Sequence, residues 1–139
     1  MGYRSDAKLL IYGEAEPMIA YIAGEKLKGL PPHHDKHPFD GETTDHWFES
    51  SRREYQNGKQ IILRFEWSNI KWYNTYSDIE WWENLIQTFK ERYNDNTEVD
   101  MNLEFIRIGE DDDDVDTVYY GLNNDFHLRV HKEILDEAP

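Results

Sequence analysis

Cysteine is absent from the 139 residues, which removes disulfide frameworks, thiolate metal sites, cysteine nucleophiles and thiol redox chemistry together. That absence suits a reducing cytoplasm. Long apolar runs are also missing: none approaches the roughly 20 residues a membrane-spanning helix needs. Arg4, Asp6 and Lys8 stand where a signal peptide would carry an apolar stretch, so the expectation is a soluble, unexported protein. Positive charge is scarce, with 15 Lys and Arg against 29 Asp and Glu, a net charge of −14. Such a surface repels nucleic acid backbones and anionic membranes, and no local basic patch offsets it. Neither is expected as a direct partner; basic protein surfaces are. Enzyme signatures are lacking as well, since there is no G-x-S-x-G, no phosphate-cradling glycine loop and no H-E-x-x-H. Carboxylates are so abundant that a pair at general acid–base distance carries no information.

Aromatic residues are plentiful. Five Trp, nine Tyr and six Phe supply the apolar mass for a core in one domain spanning residues 1–139. Residues 8–12 (KLLIY), closed by Gly13, fit a buried strand. Pro17 at a first helical turn, then Met18, Ile19, Ile22, Ala23 and Leu27 at three- and four-residue steps, with Gly29 as the stop, predict an amphipathic helix. Residues 30–44 (LPPHHDKHPFDGETT) read as an irregular surface loop. Asn57-Gly58 is a hairpin turn signal between an ambiguous segment at 46–55 and an alternating arm carrying Ile61, Leu63, Phe65 and Trp67.

Ser77-Asp78-Ile79-Glu80 is a capping box opening a helix whose apolar face is Ile79, Trp82, Ile86, Phe89 and Tyr93. Val99, Met101, Leu103 and Phe105 then alternate, and Ile106 and Ile108 change phase, which predicts a bulge or a strand buried on both faces. Two further strand-like runs cover 117–120 and 126–130. The order strand, helix, hairpin, helix and further strands predicts an α+β fold: a mainly antiparallel sheet with two helices packed on one face, with a ferredoxin-like arrangement plus added strands as the leading topology.

Three features are candidates for function. The first is the run Glu110, Asp111, Asp112, Asp113 and Asp114 with Asp116, the densest charge in the chain, which must be screened by water, cations or a partner's basic residues. It reads as a solvated strand connection, as a recognition element for a basic partner, or as a calcium loop, although the Asp spacing, central Gly and distal Glu of an EF-hand are missing. The second is the loop from His33 to His46. His33, His34, Asp35, His37, Asp40 and His46 are zinc- or nickel-ligand types without a second ligand pair at recognisable spacing, so no metal or other cofactor is assigned. His127 and His131 share a face in strand-like sequence, as surface residues. The third is Trp81, which lies off the main stripe of its helix and is either core-edge packing or an exposed aromatic anchor.

The opening MGYRSD, the KWY segment at 71–73 followed by Tyr76-Ser77-Asp78-Ile79, and the RIGED segment at 107–111 resemble a group of small uncharacterised proteins encoded by bacteriophages and prophages. The chain departs from that pattern at position 7, where Ala replaces the more usual Val, and in the His-containing loop. The resemblance implies a phage product made in the cytoplasm of a bacterial host. It brings no catalytic residues. Small acidic phage proteins commonly block host proteins whose sites are basic, including nucleic-acid-binding and defence factors. The expected function is therefore non-enzymatic binding of a basic host protein through Glu110, Asp111, Asp112, Asp113, Asp114, Asp116 and Trp81. A small metal-dependent enzyme using the His33–His46 loop and a homo-oligomeric accessory protein are the alternatives.

Overall fold

The computed structural model describes residues 4–32, 37–40, 43–44, 48–54, 60–73, 76–93, 98–111 and 113–121. Strand β1 (Ser5–Glu14) leads directly into helix α1 (Ala15–Leu27); a 3-10 turn (Pro38–Asp40) then precedes β2 (Thr43–Thr44), β3 (Phe48–Glu54) and β4 (Gln60–Ile70). Helix α2 (Ser77–Tyr93), β5 (Met101–Gly109) and β6 (Val115–Gly121) complete the order. The strands make one six-stranded sheet, β2-β3-β4-β1-β5-β6, in which every pairing is antiparallel. The fold is α+β, with both helices on one face of the sheet, as the sequence predicts.

The first strand of the chain is at the centre. β1 pairs with β4 on one side and β5 on the other, so both of its edges are hydrogen-bonded, and side chains on both of its faces are buried. Ala7, Leu9 and Ile11 point to the helices, where they meet Met18, Ile22, Trp82, Ile86 and Phe89. Leu10 and Tyr12 point the other way, into a second cluster with Ile62, Ile106, Ile108 and Val115. A strand buried on both faces reads as a continuous apolar run, which is the KLLIY pattern. The phase change at Ile106 and Ile108 has the same origin: β5 is an unbroken strand buried on both sides.

Polar groups are also enclosed on the second face. Lys8, Asn102 and Glu104 are each 0% exposed. The Lys8 Nζ lies 3.6 Å from Glu66 Oε1. The Tyr12 hydroxyl donates to Glu104, and Asn102 Nδ2 donates to the Tyr12 carbonyl at 3.2 Å and to Asp100 Oδ1 at 2.8 Å. Buried charge needs such partners, because desolvation without them costs several kcal/mol, by order of magnitude.

Helix α2 buries all five positions its periodicity selects, together with Leu85. Asp78 accepts the amide of Ile79 at 3.0 Å and suits the positive end of the helix dipole. Helix α1 is rotated from its expected face. It buries Met18, Tyr21, Ile22 and Glu25, and leaves Ile19 and Leu27 exposed. Its hydrophobic residues lie all round the axis, so periodicity alone underdetermines which side docks.

The Tyr21 ring meets Phe89 and Tyr93 edge-on, 5.7 Å and 6.2 Å between centroids. Burial first, then the Glu25 carboxylate, push its hydroxyl well above the ordinary value of 10.0. Above pH 10.0 the unfolded chain therefore ionises Tyr21 while the folded chain keeps its proton. This contribution to stability is intact below that pH and is lost as pH rises through the folded value. Tyr93 is raised as well, chiefly by burial. Urea unfolding of Tyr21→Phe is expected to show a shallower loss of stability in alkali than the native chain; superimposable alkaline profiles would contradict this.

Candidate functional site

The acidic run is the tip of the β5–β6 hairpin. The Gly109 amide donates to the Asp114 carbonyl at 2.8 Å and the Asp114 amide to the Asp111 carbonyl at 3.1 Å, closing the turn. In the antiparallel register Arg107 of β5 stands opposite Asp116 of β6 and, on its other side, opposite Ala7 of β1. That position sets its guanidinium among three acceptors. Nε and Nη2 donate to Asp116 Oδ2 at 2.9 Å and 2.7 Å. Nη2 and Nη1 donate to the two Asp114 oxygens at 2.8 Å and 3.3 Å, and Nη1 also reaches Ser5 Oγ at 2.9 Å.

This fork offsets the repulsion between two of the clustered carboxylates, Asp114 and Asp116. The Arg107 side chain is 13% exposed, against 34% for Asp114 and 63% for Asp116, so the cation forms the floor and the carboxylates the rim. Bidentate pairing of this kind fixes geometry as well as adding charge-assisted bonds. The Asp114 hydrogen bond above all raises the Arg107 pKa further above its usual value, against the opposing effect of burial. The base of the hairpin is clamped too. Glu110 Oε1 accepts the Arg4 amide at 2.9 Å, Arg4 Nη1 reaches the Asn69 carbonyl at 3.3 Å, and Asp6 accepts the Asn69 amide at 2.8 Å. Asn69 has φ 53, a left-handed conformation that asparagine tolerates better than most residues.

Glu110, Asp111, Asp113 and Asp116 are exposed. Asp112 lies outside the described residues. Between the hairpin and the first turns of α2 runs an open groove in which Trp72, Tyr73 and Glu83 face Arg107 and its two aspartates. Trp72 Nε1 donates to Glu83 Oε1 at 2.8 Å, and its ring packs against Phe105 and Trp67 at 5.5 Å and 5.0 Å. One wall of the groove is thus fixed by the core. The arrangement is a preorganised anionic surface with an aromatic flank.

The cation is the element that composition hid. Without Arg107 the partly covered Asp114 and the exposed Asp116 would repel each other. Arg107→Met is expected to lower stability by about 2 kcal/mol, the scale of a lost hydrogen bond to a charged group. Adding Asp114→Asn and Asp116→Asn is expected to recover part of that loss in urea unfolding. Strict additivity of the changes would mean that the fork contributes nothing.

The other candidates are placed differently. His37 is 3% exposed, so it is a packed residue and no part of a surface loop. Its Nδ1 accepts the Phe39 amide at 3.1 Å, and its ring meets Phe39 and Trp81 at 4.8 Å and 5.8 Å. Phe39, in the 3-10 turn, is 0% exposed and inserts between Tyr21 and Phe65. Trp81 is half-buried and packs at the core edge, 4.9 Å from Trp82. His33, His34, Asp35, His46, His127 and His131 lie outside the described residues, and Asp40 ends the 3-10 turn. Among the described residues no group of three or more His, Asp or Glu is arranged to hold a metal ion. Nor is any helix among them long and apolar enough to cross a membrane.

Comparison with known protein families, with curated proteins and with solved structures finds no match. The topology therefore stands as described, without assignment to the ferredoxin-like or another named fold.

Proposed function

We propose that this protein is a non-enzymatic binding protein that sets its acidic β5–β6 hairpin on a basic surface of another protein. The observation that carries this reading is the Arg107 fork, which holds Asp114 and the exposed Asp116 in one geometry beside the exposed Glu110, Asp111 and Asp113. A surface ordered before contact loses less conformational entropy on binding, so more of its electrostatic attraction is realised as affinity. The net charge of −14 adds long-range steering toward a basic partner and away from nucleic acid. The resemblance to phage-encoded proteins supports a bacterial host cytoplasm as the setting, and a nucleic-acid-binding or defence protein of the host as the class of target.

The test is capture from bacterial lysate at low salt by the native chain and by Asp111→Asn/Asp113→Asn, with the captured protein identified by mass spectrometry and its affinity then measured against ionic strength. The native chain is expected to retain a basic protein that the variant loses, with an affinity that falls steeply as salt rises. Equal retention by both forms, or an affinity indifferent to salt, would overturn the reading.

A further inference from the structure

The outward face of helix α1 is apolar. Ile19, Ala20, Ala23, Gly24 and Leu27 all lie on it and are exposed, Ile19 at 55% and Leu27 at 88%, and Leu30 follows just past the helix end at 49%. A helix that packs one side on a sheet normally turns charged and polar residues to water on the other. Gly24 adds an independent anomaly. A glycine in a helix interior costs about 0.5–1 kcal/mol relative to alanine. Yet a Cβ at this position would meet nothing within 4 Å. Packing within the chain therefore does not require glycine there, and the position leaves room for close approach from outside.

The charges at the helix ends identify what approaches. Glu14 and Glu16 are exposed at the start of α1, and Lys26 and Lys28 are exposed at its end, where Lys28 also holds Glu25 at 2.7 Å. Reflected about Tyr21, the helix is complementary to itself. Position 16 falls opposite 26, 14 opposite 28, and the bulky Ile19 opposite the shallow notch of Ala23 and Gly24. Acidic end meets basic end and ridge meets notch, twice over, which is the signature of a two-fold contact between identical surfaces.

We propose that two copies of this chain associate through antiparallel packing of α1 on α1. The partner is a second copy because one helix supplies both the apolar face and the charge pattern that fits it. Repulsion between two acidic molecules is screened beyond a Debye length of about 8 Å at physiological salt, so the local match at the helix governs the contact. The pair carries two acidic hairpins, and a target with two basic sites would be held at raised effective concentration.

Sedimentation equilibrium of the full chain tests this. The native mass is expected to rise from 16.7 kDa toward twice that value with concentration, and Ile19→Glu/Leu27→Glu is expected to remain at 16.7 kDa. These positions are exposed, so circular dichroism is expected to show the variant folded. Glu16→Lys and Lys26→Glu are each expected to weaken association by about tenfold, the effect of placing like charges at both ends of the contact. An equimolar mixture of the two is expected to restore it, because every charge pair in the mixed dimer is then opposite in sign. A native chain that stays monomeric overturns the proposal. So does a dimer that survives Ile19→Glu/Leu27→Glu, or a mixture that associates no better than its components. Loss of a captured foreign protein on Ile19→Glu/Leu27→Glu, with the native chain monomeric, would assign the face to that protein instead.

Discussion

Gly13→Ala is expected to destabilise the fold by about 3 kcal/mol or more, at the upper end of what overpacking a tight interior costs. A Cβ at Gly13 would lie 1.9 Å from the Asp100 carbonyl oxygen, 2.9 Å from its carbon and 3.2 Å from Met101 Cα. All three are backbone atoms, so no side chain can swing aside. The same carbonyl accepts the Glu14 amide at 3.1 Å, which ties the β1–α1 junction to the start of β5. Relieving the clash means prising apart the central strand pair. Thermal unfolding in dilute solution is expected to show a drop in Tm of about 10 °C. Gly24→Ala is the control, expected to leave Tm unchanged or slightly raised because its Cβ meets open space. A Gly13→Ala protein as stable as the native chain would mean that β1 and β5 are not held in this register.

Trp82→Ala is expected to cost about 3–5 kcal/mol, the range for emptying a buried aromatic site. Trp82 is 2% exposed and is the point where α2 locks onto the sheet. Its ring meets Phe65 at 5.0 Å, Trp67 at 4.9 Å and Trp81 at 4.9 Å, so the cavity would be lined by rigid rings that cannot collapse into it. Against a total stability of about 5–15 kcal/mol for a domain, a loss on that scale leaves a substantial unfolded population under mild denaturant. Urea unfolding followed by far-UV circular dichroism measures it without relying on tryptophan emission. A loss below about 1 kcal/mol would show that the aromatic cluster is not where α2 is anchored.

What the sequence made legible follows from where apolar residues recur at a single period. α2 has one clean stripe, and each position of that stripe is buried. β5 announced itself by losing its alternation, since a strand covered on both faces has no polar side to show. α1 was found as an element but not as a face, because Ile19 and Leu27 are as apolar as Met18 and Ile22, and only the fit to the sheet decides among them. Gly13 looked like a strand terminator and is instead a point of close backbone approach inside β1. Phe39 sat alone among prolines and histidines, where no period could point to it, yet it is fully buried.

The acidic hairpin was legible as charge and illegible as structure. Composition shows only that the carboxylates repel. The two nearest β6, Asp114 and Asp116, are held by Arg107, seven residues before the first and nine before the second. The signal was present: once a hairpin is placed around the run, a basic residue opposite Asp116 is a cross-strand pair. The buried Lys8 and Glu104 left no comparable trace, because the partners of β1 lie far along the chain, in β4 and β5.

We propose the hairpin, ordered by Arg107, as the surface that meets a basic partner. Amide chemical shifts of the isotopically labelled chain, followed while the captured partner is titrated in, test it most directly. Perturbations concentrated at residues 107–117 in the native chain, and a weaker affinity for Arg107→Met even though that change makes the protein more acidic, are the predicted result. Perturbations centred elsewhere, or tighter binding by Arg107→Met, would rule out the hairpin as the binding surface.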